Sequence, residues 1–152
     1  MQGVLDLEPT FWRNASISSG EQVDMKHCPF CTMIAENKII IGNDLAVALY
    51  DNYPVNPNHT LIIPHRHIED FLELTRKEQA AIWDLVAPVR RRIEKSRMPD
   101  GYNIGVNIGK AGGQTIEHAH LHVIPRYTGD VEDPRGGIRW VIPDKVVYWQ
   151  KQ

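Results

Sequence analysis

The sequence predicts an α+β domain with a mostly antiparallel sheet, because strand patterns stand on both sides of one long helical pattern. Short apolar runs precede the helix, and runs that alternate between apolar and polar residues follow it. The predicted strands are 45–51, 60–63, 102–108, 116–125 and 138–142. A first short helix is predicted over 31–36, a connection over 52–58 and a glycine-rich turn over 109–113. Pro64 is expected to end the second strand.

The long helix has a clear beginning in the sequence. Thr75 and Glu78 form a capping box, in which each side chain bonds the backbone N–H of the other residue. Apolar residues then recur at three- and four-residue spacing, which predicts one buried face: Ile82, Leu85, Val86, Val89 and Ile93. Pro88 lies inside this pattern and predicts a kink or a break in the helix.

Length and composition limit the function classes. The 152 residues suit one domain, and a net charge of −2 gives no basic excess for a nucleic-acid partner. No apolar run is long enough to span a membrane, and the first 25 residues lack the apolar core of a signal peptide. With only two cysteines, a reducing cytoplasmic location is expected. We interpret residues 1–24 as an N-terminal extension and residues 25–152 as the domain.

Three histidines alternate with apolar residues at His118, His120 and His122. On a strand these three imidazoles would lie on one face, about 6 to 7 Å from one to the next. Such a face makes a poor hydrophobic core, because each buried ring needs a polar partner. Catalysis explains the pattern, since histidine exchanges protons near neutral pH. A zinc site built from two or three imidazoles explains it as well.

A separate signal is the pair Cys28 and Cys31, two residues apart. This spacing is typical of zinc ligands. A redox pair with a low-pKa thiolate at a helix start has the same spacing, although the βαβ context of such proteins is missing here.

Residues 113–126, which contain the three histidines, resemble the signature of the histidine triad superfamily. Residues 51–67 resemble the second segment shared by that superfamily, and the likeness extends over about 27–143. The resemblance implies a five-stranded antiparallel sheet with one long helix, and a homodimer. It also implies hydrolysis or transfer at the α-phosphate of an adenine nucleotide or dinucleotide, without an organic cofactor.

The resemblance also implies roles for individual residues. His120 would be the nucleophile that forms a nucleotidyl-histidine intermediate, and His122 would contact the phosphate oxygens. Gln114 and Thr115 would donate to the phosphate or to the bridging oxygen. The remaining nucleotide-binding candidates are Asp51 at the ribose hydroxyls, Asn107 at the phosphate, His59 beside the triad, and Ile34, Leu49 and Tyr50 at the base. The last three are equally well explained as core residues.

By the same resemblance, structural zinc would be held by Cys28, Cys31, His67 and His118. His27 is a rival for one position in this ligand set.

His122 as third histidine favours hydrolysis, because superfamily transferases usually have glutamine there. The residues after it resemble the dinucleoside polyphosphate hydrolase branch, with AMP as product. An adenosine phosphoramidase, a phosphorylase and a nucleotide sensor without turnover are the alternatives.

Overall fold

The structure, a computed structural model, describes residues 28–149. The N-terminal extension and His27 therefore lie outside the described residues. Within 28–149 the strands are β1 (Ile41–Gly42), β2 (Ala46–Tyr50), β3 (Thr60–Pro64), β4 (Gly101–Val106) and β5 (Leu121–Arg126). The α-helices of the same range are α1 (Pro29–Ala35), α2 (Arg76–Ser96) and α3 (Pro143–Val146). The fold is the predicted α+β class.

All five strands form one antiparallel sheet in the order β1-β2-β3-β5-β4. β5 therefore lies between β3 and β4, and His122 is paired with Leu61 on one side and with Gly105 on the other. The last histidine of the triad thus occupies the interior of the sheet rather than its edge.

One face of the sheet packs against α2. The capping box of α2 is confirmed, since Thr75 Oγ1 accepts from the N–H of Glu78 and the Glu78 carboxylate accepts from the N–H of Thr75. The apolar face of the helix is also as predicted, with Ile82, Leu85, Val89 and Ile93 buried and Val86 partly buried. These residues pack against strand residues that include Leu121 and Val123 of β5.

The opposite face of the sheet packs against α1. Buried residues of α1 and its N-cap join Val47, Leu49, Leu61 and Ile63 in a second apolar cluster. Along β5 the side chains alternate, so that Leu121 and Val123 face α2 while His122 faces the α1 side. The catalytic candidates therefore lie on the side of the sheet away from the long helix.

The predicted start of the last triad strand was wrong. β5 begins at Leu121, so His118 and His120 lie in the segment that precedes the strand rather than within it. The backbone there bonds to loops instead of to neighbouring strands: the N–H of Ala119 donates to the carbonyl of Ile68. The alternating pattern nevertheless brings the triad rings side by side, with the centroids of His120 and His122 4.9 Å apart.

Other local details differ from the predictions. α2 continues through Pro88 to Ser96, so a break at Pro88 does not occur; Pro88 and its neighbour Val89 are both buried in the packed face. β3 ends at Pro64 as expected and includes that residue, whose missing N–H leaves the pairing with Ala46 intact. Residues 138–142 do not form a strand: a 3₁₀ helix occupies Gly137–Val141, preceded by Gly136 at φ 91°. The first helix begins at Pro29 because proline is favoured at the first helical position.

The short strand β1, the 3₁₀ helix Phe71–Glu73 and helix α3 were not predicted. Within residues 28–149, no helix combines the length and the apolar character needed to cross a membrane.

Candidate active site and metal centre

The ring of His120 is held in one orientation by the main chain. Its Nδ1 lies 2.7 Å from the carbonyl oxygen of His118. A carbonyl can only accept, so Nδ1 carries the proton and donates, and Nε2 keeps the lone pair. The residue is 5% exposed, and the ring of Phe30 packs edge-on against it with a centroid separation of 5.1 Å. His120 therefore presents a single unprotonated nitrogen in a fixed position, as a nucleophile requires.

The carbonyl that orients His120 is itself anchored. It shares a peptide plane with the N–H of Ala119, which donates to the Ile68 carbonyl at 2.6 Å. The N–H of His118 donates to the carbonyl of Ile116 at 2.8 Å. The peptide groups on both sides of His118 are thus held by hydrogen bonds.

His122 contacts a fourth histidine. Its Nδ1 lies 3.0 Å from Nε2 of His59, and its own Nε2 is buried without a hydrogen-bond partner. His59 Nδ1 lies 3.4 Å from the backbone N of Val55 and 3.4 Å from a carboxylate oxygen of Asp51, and these two contacts favour opposite tautomers. In the tautomer that the Val55 N–H favours, His59 Nε2 donates to His122 Nδ1 and the proton of His122 is on its buried Nε2. In the tautomer that Asp51 favours, His122 Nδ1 donates to His59 Nε2 and His122 Nε2 keeps its lone pair.

Burial keeps the site histidines neutral. It lowers the pKa of His122 to about 4, helped by the nearby rings of His120 and His59. It also lowers the pKa of His120, against the opposing effect of the hydrogen bond to the His118 carbonyl. The pKa of His59 is lowered by burial and partly restored by the Asp51 carboxylate, which lies 3.4 Å from His59 Nδ1.

The residues predicted to bind the ribose and the phosphate differ in burial and in their hydrogen bonds. Asp51 is half-buried directly after β2, and it accepts from the N–H of Tyr53. Asn107 follows β4 and is half-buried. The carboxamide of Gln114 is engaged by the loop itself: it accepts from the N–H of Gly109 and donates to the carbonyls of Glu69 and Ile116. Thr115 is exposed.

The three base-pocket candidates occupy different environments. Leu49 is fully buried in the cluster under α1, and Ile34 packs against that cluster while partly buried. Tyr50, the last residue of β2, is exposed. Their assignment to the base stays a prediction.

The four predicted zinc ligands converge. One ligand atom from each of Cys28, Cys31, His67 and His118 lies within 4.8 Å of the other three. The Sγ atoms of Cys28 and Cys31 lie 3.5 Å and 3.6 Å from His118 Nδ1, and Cys31 Sγ lies 3.3 Å from His67 Nδ1. Ligands placed tetrahedrally around zinc at 2.0–2.3 Å stand about 3.3–3.8 Å apart, so the residues fit this ion.

The second nitrogen of the His118 ring also suits a metal ligand. His118 Nε2 donates to the carbonyl of Pro64 at 3.0 Å, which leaves Nδ1 aimed at the thiols. Burial and the neighbouring Cys28 raise the pKa of the Cys31 thiol to about 12. A second group of possible metal ligands consists of Asp51, His59 and His122.

Comparison with known proteins identifies the arrangement. A family model described as the HIT domain matches residues 33–129. The chain belongs to the HIT domain family. A HIT relative named AP-4-A phosphorylase, from Mycobacterium tuberculosis, is 35% identical over 96 residues, which cover 62% of this chain and 49% of that protein. The chain therefore matches about half the length of that relative.

Two further members of the HIT family are informative. A protein of Dictyostelium discoideum named bis(5'-adenosyl)-triphosphatase is 33% identical over 101 residues, covering 66% of this chain and 68% of its own length. The crystal structure of a Zn-bound histidine triad family protein from Mycobacterium smegmatis is 31% identical and superimposes with a TM-score of 0.63, over 70% of this chain and 79% of that chain.

Sequence reasoning missed one part of the HIT site: Phe30, between the two cysteines, packs on the rings of both His118 and His120. His59, which the resemblance placed beside the triad, contacts His122. These two histidines are 63 positions apart, and the pairing of β3 with β5 brings them together.

Proposed function

We propose that this HIT domain protein hydrolyses dinucleoside polyphosphates, releasing AMP through a nucleotidyl-His120 intermediate. The observation that carries the proposal is the His120 ring, whose Nδ1 is committed to the His118 carbonyl and whose Nε2 retains its lone pair. Relatives named as a bis(5'-adenosyl)-triphosphatase and an AP-4-A phosphorylase support this substrate class.

Two displacements at phosphorus make up the reaction. In the first, the lone pair of His120 Nε2 forms a P–N bond to the α-phosphorus, and the departing phosphate oxygen keeps the electron pair of the broken P–O bond. In the second, a water oxygen forms the new P–O bond and its proton passes to solvent, and the electron pair of the P–N bond returns to Nε2. AMP leaves and the imidazole is restored.

The neighbouring residues assist these steps by position and charge. We assign the proton of His122 to its buried Nε2, beside His120, where it would stabilise the negative charge that develops on a phosphate oxygen. The Asp51 carboxylate, at the end of β2, can accept from the two ribose hydroxyls. The Gln114 carboxamide holds the turn before the triad through three hydrogen bonds to the backbone. Through these bonds Gln114 would position that turn around the leaving oxygen.

Zinc is the second part of the proposal. Cys28, Cys31, His67 and His118 would hold it, and the bound ion would supply a structural link between α1 and the segment ahead of β5. The convergence of two thiols and two Nδ1 atoms supports this assignment.

A homodimer is the third part. Among the described strands β4 pairs with β5 alone, so one of its edges is available to a second copy. Light scattering at micromolar protein should give the mass of two chains, and a single-chain mass would contradict the dimer.

The decisive experiment measures product formation by His120→Ala and by a matched control, His65→Gln. His65 bonds the carbonyl of Asn43, outside the catalytic row. Diadenosine triphosphate, diadenosine tetraphosphate and adenosine 5'-phosphoramidate are each supplied with and without inorganic phosphate, and the products are separated by chromatography. We expect AMP from the dinucleotides with wild type and control, and a loss of more than a thousandfold with His120→Ala.

Several results would change the proposal. Equal turnover by His120→Ala and wild type would refute nucleophilic catalysis by His120. ADP formed only in the presence of phosphate would make the protein a phosphorylase. Turnover of the phosphoramidate alone would assign it to the phosphoramidases, and nucleotide binding without any product would indicate a sensor.

A further inference from the structure

A cavity of about 540 Å³ lies on the catalytic side of the sheet, next to the triad. Ile124 and Arg126 of β5 line it, and both alternate in register with His122, so their side chains share its face of the sheet. Val55, on another wall, donates its N–H to His59. A strand rises about 3.3 Å per residue, so Ile124 and Arg126 lie about 7 Å and 13 Å along β5 from His122.

The outer wall of the cavity lies beyond the segment that the family model matches, which ends at residue 129. This wall, which we name the C-terminal strap, comprises residues 131–141 and includes the 3₁₀ helix Gly137–Val141. The strap reaches the neighbourhood of the triad, because a Cβ at Gly105 would stand 3.1 Å from Ile138 Cδ1 and Gly105 is paired with His122.

The charges in the cavity do not suit a phosphate. Arg126 is the cationic side chain among the lining residues, and its guanidinium is already engaged. Its Nε and Nη2 donate to the two carboxylate oxygens of Asp130, each at 2.7 Å, and its Nη1 donates to Asn103 at 2.6 Å. Glu132 and Asp133 add further carboxylates to the lining. A polyphosphate entering the cavity would meet net negative charge.

The same lining suits an uncharged aromatic group. Val55, Ile124 and Val131 provide apolar surface. Trp140 of the strap lines the cavity with its indole 46% exposed, and its N–H is fixed on the carbonyl of Arg135 at 3.0 Å. An oriented, partly exposed indole is a stacking surface for a nucleobase.

We propose that this cavity binds the second nucleoside of the substrate, the one that departs with the leaving phosphates, and that Trp140 stacks on its base. The inference rests on the proposed function, which places the scissile α-phosphate at His120. The polyphosphate bridge would run along β5, between the histidines and the cavity. The volume is within the range of pockets that hold small ligands.

The test compares binding of two non-hydrolysable probes by titration calorimetry. One is diadenosine triphosphate with methylene bridges between its phosphates, and the other is ATP with the same methylene bridges, which keeps the three phosphates and lacks the second nucleoside. The quantity measured is the ratio of their affinities. Because the dinucleotide has two identical ends, a ratio of about two arises from statistics alone. If one base also stacks on Trp140, the affinity ratio of wild type should exceed this statistical value by about fivefold or more.

Three variants separate stacking from structural effects. Trp140→Ala should lower the affinity ratio about fivefold or more and leave the affinity for the ATP analogue unchanged. Trp140→Phe keeps an aromatic face but loses the bond to Arg135, and it should restore most of the ratio. Trp83→Ala removes another exposed tryptophan, on α2, and should bind both probes like wild type. Thermal unfolding confirms that each variant is folded.

The outcomes separate this inference from the proposed reaction. Three results would refute the second-nucleoside site, even if the protein releases AMP. They are an affinity ratio that is unchanged in Trp140→Ala, an equal loss of affinity for both probes in that variant, and a wild-type ratio near two. Trp140→Phe behaving like Trp140→Ala would also refute stacking. A ratio that responds as expected, in a protein that shows no turnover, would support the site and refute the hydrolysis.

Discussion

The carboxylate of Glu78 accepts four hydrogen bonds, and we predict that its neutralisation destabilises the fold. It accepts from Arg66 through Nε at 2.8 Å and Nη2 at 2.9 Å, and from the N–H and hydroxyl of Thr75 at 2.8 and 2.9 Å. Its side chain is 9% exposed. The substitution Glu78→Gln preserves the shape of the side chain and removes its charge.

The size of the effect follows from the pKa of Glu78. Hydrogen bonds from Arg66, with those from Thr75, lower this pKa from 4.5 to about 2. That difference corresponds to roughly 3 kcal/mol of preference for the charged form. The Arg66 side chain is half exposed, and solvent screening reduces the value, so we expect Glu78→Gln to cost about 2 kcal/mol at pH 7. For a chain of this length the Tm should fall by about 4–8 °C.

The pH dependence gives a second check. A group whose pKa is lowered on folding stabilises the protein above its unfolded pKa, and the stabilisation is lost as the pH falls through the folded pKa. The difference between wild type and Glu78→Gln should therefore persist from pH 7 to about pH 4.5 and shrink between about pH 4.5 and pH 2. Urea denaturation at pH 7 and pH 3.5 measures it.

The control for Glu78→Gln is Glu94→Gln, on the same helix. Glu94 pairs with Arg90 at 2.7 Å across one turn, and the Arg90 side chain is largely exposed. Such a pair contributes about 0.3–0.5 kcal/mol. A loss of stability for Glu78→Gln as small as that of Glu94→Gln, or one that does not change with pH, would refute the reasoning.

Three further predictions concern the metal, the catalytic pH range and the strap. Cys31→Ser should lose most of the bound zinc, about one ion per chain in wild type by elemental analysis, and should unfold at lower temperature; wild-type zinc content in the variant would contradict the ligand assignment. Because burial lowers the pKa of His122 to about 4, kcat/KM should change little between pH 7 and pH 5.5. An ordinary histidine would be about nine-tenths protonated at pH 5.5, so a tenfold fall would count against buried neutral imidazoles. Gly136→Ala should lower the Tm more than Gly129→Ala: both glycines have positive φ, but only at Gly136 would the added methyl collide with Val146.

The sequence predicted those features that depend on local pattern. Thr75 and Glu78 are three residues apart, and the capping box needs nothing else. The apolar spacing of α2 predicted its buried face for the same reason. The convergence of Cys28 and Cys31 with His67 and His118 was predicted only through the resemblance of two motifs, because spacing within a chain does not tell which distant residues meet.

The features that were missed depend on tertiary contacts. Alternation at 116–125 is the same whether the backbone bonds to a strand or to a loop, so the beginning of β5 at Leu121 could not be predicted from it. Residues 138–142 have the apolar character of a strand, but two preceding glycines with positive φ turn the chain into a 3₁₀ helix. The cavity beside the triad exists because that turn packs over β4 and β5.

The peptide group between His118 and Ala119 has a consequence for how this catalytic apparatus tolerates change. Its N–H donates to the carbonyl of Ile68, so its C=O keeps pointing at the His120 ring for any residue except proline at position 119. A main-chain acceptor cannot be deleted by any single amino-acid replacement. The protonation pattern of the attacking imidazole therefore depends on the path of the backbone, and a movement of the loop that contains Ile68 would alter it.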